Sequence, residues 1–349
     1  MSKTTPTIVI VGAGAMGILS GYHLALGGAA ITYLVRPSRI AELQSTLKLY
    51  SYDDAATHEY AGYSLVSDPA DITKLEPDFV LVTVDGASLT SDEGMTTLRA
   101  IGAAIRELDT TLIIGSVGIG LREKAIAASG LADERVINGG LTLLAHQTKG
   151  VNLPIHAPTD PRELQASDFA FRHLNDTGFR LENRNASAAS WFADIFDKSG
   201  IGKCAVISSE EFGTQSRGII PIFITCQILG WPNAGELYAD PLWSITVDAV
   251  RAVQGLAAHG DAGKASAAEL TSERLVGIWN HLTVASLPLD WMGFNAFHHG
   301  QKVNSSDILL LRSCADSGDA EKRDMSSVRQ IIAAWEARRD IPRRVSRSG

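Results

Sequence analysis

Apolar positions follow two rhythms along this chain. Through roughly the first 155 residues they gather into short β-rich runs, at 8–11, 31–35, 78–84, 111–115, 135–138 and 151–155. Between these runs lie stretches of helical period. The run D-F-V-L-V-T-V at 78–84 is nearly continuous, as a parallel strand covered on both faces should be. Short strands around a polar turn are predicted within 47–66, and a helix over 89–108. Residues 160–190 are polar and mixed, and read as peripheral helix and loop. Beyond about 208 the pattern is helical, with helices predicted at 218–230, 241–258, 267–286, 305–317 and 325–338. The 218–231 stretch is interrupted by Pro221 and Gln227 and reads as a buried core helix rather than a membrane span. The predicted fold class is therefore α/β: a doubly wound parallel sheet at 1–205, an all-α domain at 206–340, a cleft between them, and a basic tail at 341–349.

The first two apolar runs bracket I-V-G-A-G-A-M-G-I-L-S-G. Gly12, Gly14 and Gly17 have the spacing G-x-G-x-x-G, after a strand and before a helix, which is the context that gives the pattern meaning. Gly12 permits the turn, Gly14 lets the backbone approach a pyrophosphate, and Gly17 lets the helix pack against the strand. With Ala15 and Met16 they form a dinucleotide-binding loop of the Rossmann type, its phosphates at the helix N-terminus. The second strand ends at Arg36, in R-P-S-R, where NAD-binding versions usually carry Asp or Glu. A guanidinium matches a 2′-phosphate, so the expected cofactor is NADPH. Val84 and Asp85, at the end of the 78–84 run, and Ser116 and Gly118, in the turn after 111–115, should line the cofactor near its nicotinamide half.

Composition adds exclusions. The net charge of −8 argues against a nucleic-acid partner. Cys204, Cys226 and Cys314 are odd in number and widely spaced, so no disulfide framework and no metal are expected, which fits a cytoplasmic setting. The N-terminus has no signal-peptide pattern. The stretch from Arg338 on carries five arginines and reads as a frayed terminus.

An ordered set of segments resembles the ketopantoate reductase (2-dehydropantoate 2-reductase, ApbA/PanE) family: I-V-G-A-G-A-M-G, L-V-R at 34–36, L-V-T-V at 81–84, G-I-G at 118–120, V-I-N-G-G-L-T at 136–142, P-N-A-G-E-L at 232–237, and L-P-L-D-W-M-G-F-N-A-F-H-H-G-Q-K-V at 287–303. The resemblance implies a helical second domain like that of 6-phosphogluconate dehydrogenases. It also implies hydride transfer from NADPH to a small 2-keto acid, a place in pantothenate biosynthesis, and a homodimer as the candidate assembly. The chain departs from the family at several points. Asp85 stands where the family has a lysine, and Ser116-Val117-Gly118 replaces an H-N-G turn. Gln215 or Ser216, with Arg217 beside them, falls at the catalytic lysine, and Lys302 falls near a substrate-binding glutamate.

Three residues are left as candidates for catalysis. Lys302, just before a helix, could polarise or protonate a carbonyl. Arg217, just before an apolar helix, could grip a carboxylate. His299, beside His298, could shuttle a proton, although the aromatic set Trp291, Phe294 and Phe297 marks the preceding helix as core-packing. The leading expectation is an NADPH-dependent reductase of a small 2-keto acid. The alternatives are a same-fold reductase of another ketone or imine, or a non-catalytic NADPH-binding sensor.

Overall fold

In the computed structural model, which describes residues 5–339, the strands form two sheets. They are β1 (Thr7–Val11), β2 (Ala30–Leu34), β3 (Leu47–Ser51), β4 (Ala56–Tyr60), β5 (Ser64–Val66), β6 (Phe79–Val82), β7 (Thr111–Ile114), β8 (Val136–Leu141), β9 (Leu144–Gln147), β10 (Phe169–Arg172), β11 (Thr177–Glu182) and β12 (Lys203–Ile207). The large sheet runs β12-β11-β8-β7-β6-β1-β2-β5. It is parallel from β5 through β8; β11 then adds antiparallel to β8, and β12 parallel to β11. The small sheet runs β4-β3-β10-β9.

Side-chain alternation explains why the strands read as continuous apolar runs. Ile8, Ile10, Phe79, Leu81, Ile113 and Ile137 enter one core, with Ile18 and Leu19 of the helix Ala15–Leu26 and Phe192 and Phe196 of the helix Ala186–Asp197. Val9, Val11, Val80, Val82, Leu112 and Ile114 enter the other, with Leu98 and Ile101 of the helix Asp92–Ile105. Each face of the pleat has its own helical cover, so neither can be polar.

The structure departs from the sequence expectation at several elements. The helix expected over 89–108 is two, Gly86–Leu89 and Asp92–Ile105, because Ser91 caps the second by accepting from Gly94 N at 3.1 Å. The strand expected at 151–155 is reduced to a single bridge, Ile155 to Leu289. The 160–190 stretch contains β10 and β11, each paired into a sheet.

The chain divides into two units. One runs through Phe212 and takes back Leu282–Phe294; the other is Gly213–His281 with the chain from Asn295 on. The expected boundary at 205/206 falls inside β12, which is paired along its length with β11. Leu282–Phe294 is held in the first unit by His156 N to Pro288 O at 2.8 Å, Asp290 N to Pro154 O at 3.2 Å and Arg172 Nε to Ala285 O at 3.1 Å. The basic tail at 341–349 lies outside the described residues.

The second unit is helical. Its central helix, Ile220–Leu229, is buried on every side through Gln227 and packs on Leu242–Gln254, Asn304–Ala320 and Ser326–Arg339. Polar groups on the buried central helix find partners, as burial demands: Thr225 and Thr246 hydroxyls meet at 2.6 Å, and Gln227 Oε1 accepts from Asn304 Nδ2 at 2.9 Å and Trp335 Nε1 at 3.0 Å. Arg338, expected to fray, lies on the last helix and donates to the Gln227 carbonyl. The P-N-A-G-E-L segment is a helix start: Asn233 and Glu236 form a reciprocal capping box. No helix among the described residues is long and apolar enough to cross a membrane.

Candidate active site

The glycine loop joins the end of β1 to the helix Ala15–Leu26. Gly12 has φ +99°, the left-handed region. A Cβ on Gly17 would lie 2.2 Å from Gly12 O and 2.8 Å from Thr83 Oγ1, so this position closes the helix onto the loop. Gly14 differs: its backbone is extended, and a Cβ there would meet nothing within 4 Å. The protein's own packing therefore gives no reason for glycine at 14. Open space above a helix N-terminus fits a pyrophosphate, which needs the backbone N–H groups unshielded.

The loop forms one wall of a cavity of ≈ 790 Å³ within the first unit. Of the residues singled out in the sequence, Gly12, Gly14, Arg36 and Val84 line it. Ala15 and Gly17 are buried behind the loop, Met16 packs partly buried against the core, and Ser116 is buried with its hydroxyl donated to Val84 O. Asp85 caps the short helix after β6: its carboxylate accepts from Ala87 N and Ser88 N at 3.0 Å and Ser88 Oγ at 2.6 Å. Gly118 packs on Leu121, where a Cβ would come within 2.6 Å of its side chain. Arg39, Ser67, Ser88, Ser91 and Thr97 add polar groups to the lining, and Glu93 is the one carboxylate there among the described residues. Ser91 and Thr97 carried no sequence signal, because a polar residue on a helix looks the same facing a cleft or facing water.

Arg36 is exposed at the lip, directly after β2, and has no ion-pair partner among the described residues. Arg39 one helical turn on is 3.2 Å from Glu42. Arg36 is thus the cation with its charge to spare.

Arg217, Lys302 and His299 belong to the second unit. Arg217 ends the helix Ser209–Arg217 and donates through Nε to His259 Nε2 at 2.9 Å. Burial and the adjacent guanidinium push His259 down to about 4, so it accepts as a neutral ring. Lys302 and His299 share one π-helical turn, His298–Lys302, that leads into the helix Asn304–Ala320. Lys302 is exposed. His299 is clamped: its ring stacks on Phe223 with centroids 3.7 Å apart, its carbonyl accepts from Gln227 Nε2 at 2.9 Å, and its Nδ1 is 2.9 Å from Asp307 Oδ2. Asp307 was not singled out in the sequence. An interval of eight residues is no helical neighbour spacing, and only the intervening π turn brings the two together. No group of three potential metal ligands occurs among the described residues.

Residues 8–148 match the family model of ketopantoate reductase PanE/ApbA. No curated protein matches the chain in sequence at a significant level. Among solved structures, the chain is similar to a 2-dehydropantoate 2-reductase from Geobacter metallireducens, with 20% identity over 95% of this chain and 99% of that one and a TM-score of 0.63. It is similar to D-mandelate dehydrogenase bound to NADH and anilino(oxo)acetate, with 16% identity, 96% and 98% coverage and a TM-score of 0.66. A PanE/ApbA family ketopantoate reductase from Ralstonia eutropha shares 16% identity, 95% and 97% coverage and a TM-score of 0.60. At these identities the similarity establishes a shared fold: a Rossmann-type sheet followed by a helical domain.

Proposed function

We propose that this chain, whose residues 8–148 match the family model of ketopantoate reductase PanE/ApbA, is an NADPH-dependent reductase of a small 2-keto acid. The observation that carries the reading is the cavity of ≈ 790 Å³ in which the open Gly14 faces the same space as Arg36, which has no ion-pair partner among the described residues. The bound dinucleotide supplies a hydride for a carbonyl carbon. The chain's own residues do the rest. Backbone N–H groups at the start of Ala15–Leu26 hold the pyrophosphate, and Arg36 offers two parallel N–H donors to a 2′-phosphate. Gly12 and Val84 shape the cavity wall. Lys302 is the cation for the substrate's carboxylate or carbonyl oxygen. Arg217 is the second candidate, although its Nε is committed to His259. The three cysteines are all buried and free, in keeping with a reducing cytoplasmic setting.

Fluorescence titration of NADPH and NADH tests the cofactor. Wild-type protein should bind NADPH more tightly. Arg36→Ala should lose about 10- to 150-fold in NADPH affinity, the worth of a charge-assisted hydrogen bond, and little in NADH affinity. Tighter binding of NADH, the cofactor seen in D-mandelate dehydrogenase, would overturn the 2′-phosphate argument. Scanning NADPH oxidation over 2-keto acids, ketones and imines tests the acceptor. Intact NADPH binding with no turnover anywhere would make the chain a binding protein rather than a reductase. Lys302→Ala should abolish turnover and spare cofactor binding.

A further inference from the structure

Resting on the reductase reading above, we propose that His299 is the acid that protonates the substrate oxygen, and that Asp307 is the positioning residue that fixes its ring and resupplies its proton. The geometry is that of a carboxyl–imidazole couple. His299 Nδ1 lies 2.9 Å from Asp307 Oδ2, and the His299 and Asp307 side chains are only 15% and 7% exposed. Phe223 lies flat against the ring, at 10° between planes, and blocks rotation about that contact. The Gln227 amide holds the carbonyl of the same residue and is itself tied to Asn304 and Trp335. Three elements therefore converge to set one imidazole. Its remaining nitrogen, Nε2, has no hydrogen-bond partner among the described residues. That nitrogen is not among the buried polar atoms left without a partner, so solvent, and hence a small ligand, can reach it. The ring is held rigidly by everything except the atom that could do chemistry.

The charge surroundings favour a neutral couple holding one transferable proton. Burial pushes Asp307 up to about 8 and His299 down to about 3. The groups around them do not reverse this. The helix Ile220–Leu229 presents Phe223 and Gln227, and its Cys226 thiol is pushed up to about 12. On Asn304–Ala320, Cys314 is likewise pushed up to about 12. On the turn itself, His298 is pushed well down by burial, His299 and Lys302. Near neutrality the Asp307 carboxyl O–H therefore donates to Nδ1, and the ring carries its own N–H on Nε2.

Reduction then balances within named groups. The hydride arriving on the carbonyl carbon brings two electrons, and the carbonyl π pair moves to oxygen. That oxygen forms an O–H bond as the Nε2–H bond breaks. Nδ1 takes the Asp307 proton as the carboxyl O–H bond breaks. Afterwards the ring is neutral with its N–H on Nδ1, Asp307 is a carboxylate, and one proton returns from solvent.

The test compares wild type, His299→Gln and Asp307→Asn in steady-state reduction from pH 6 to 10, alongside imidazole 15N NMR of the protein without substrate. Wild-type kcat should fall about tenfold per pH unit above about 8, and the His299 ring nitrogens should show an inflection there. His299→Gln should lose roughly 10²- to 10⁴-fold in kcat, the usual worth of a general acid, with NADPH affinity unchanged. Asp307→Asn conserves size and a hydrogen bond. It should lower kcat at least tenfold with KM nearly unchanged, and abolish both the limb and the inflection. Wild-type turnover matched by His299→Gln, or a limb that survives in Asp307→Asn, overturns the proposal while leaving the reductase intact. Absence of the NMR inflection in wild type also overturns it. A wild-type protein that reduces nothing in the panel overturns the functional reading, and the acid role with it.

Discussion

Replacing Gly14 by alanine separates a glycine that serves the fold from one that serves a ligand. At Gly14 the backbone sits at φ −80° and ψ −176°, which alanine adopts freely. A Cβ there would meet no atom within 4 Å. Alanine is a poorer N-cap than glycine by a few tenths of a kcal/mol to about 1, but it lowers the entropy of the unfolded chain by about 0.4–1 kcal/mol. The two nearly cancel, so thermal stability should stay within about 0.5 kcal/mol of wild type. Cofactor binding should not. A methyl group where the pyrophosphate approaches forfeits at least one charge-assisted contact, about 1.5–3 kcal/mol, or roughly 10- to 150-fold in Kd. Gly17→Ala is the counterpart. Its Cβ would stand 2.2 Å from Gly12 O, so the helix must retreat by about 1 Å, at a cost of about 1–3 kcal/mol in stability. Thermal melts without cofactor and fluorescence titration with NADPH, run on both variants, decide the matter. Gly14→Ala binding NADPH as tightly as wild type would refute the assignment of the loop, as would a melting loss equal to that of Gly17→Ala.

Other outcomes follow from buried polar groups. Burial pushes His23 down to about 4 from a reference near 6.5, so the unfolded chain binds the extra proton between these values and stability falls as pH drops through them. At pH 5 this histidine should have cost about 2 kcal/mol relative to pH 7, and urea melts of His23→Gln should show a shallower acid slope. Thr246→Val should destabilise by about 1–3 kcal/mol, because it strands the Thr225 hydroxyl 2.6 Å away in the helical core and gives up the bond of Thr246 to the Leu242 carbonyl. Thr225→Val with Thr246→Val should recover part of that loss in the same denaturant assay; strict additivity of the two would show that the hydroxyls do not depend on one another.

Much of the first unit was legible because its signals are local. The loop at 12–17, the strands on either side and the alternating core of β6 and β7 each leave a mark within a short window. The apolar helix Ile220–Leu229 was legible for the same reason. What was missed is set by distant partners. F-A-F-R at β10 is too short to declare itself, and it becomes a strand by pairing with β3 more than a hundred residues earlier. The departure of Leu282–Phe294 to the first unit is likewise invisible in its own sequence, since its hydrogen bonds run to residues 154–172. At the candidate site, Arg36 could be read because a strand end fixes where its side chain begins. Asp85 was read as a cofactor contact or a strand end, and the structure uses it as a helix cap. The partner of His299 escaped notice because a π turn, not a regular helix, sets the spacing to Asp307.

The return of Leu282–Phe294 bears on how the chain is made. Leu289, Trp291 and Phe294 are buried residues, and the rest of the first unit, through Phe212, has long been synthesised when they are added. From Phe212 to Phe294 lies a wait of roughly 4–16 s at about 5–20 residues per second of translation. During that interval the nascent sheet stands on the ribosome with Pro154, His156 and Arg172 lacking the backbone groups they will bind. In folding during synthesis, the first unit therefore begins first but is completed only after the whole of Gly213–His281 has been made.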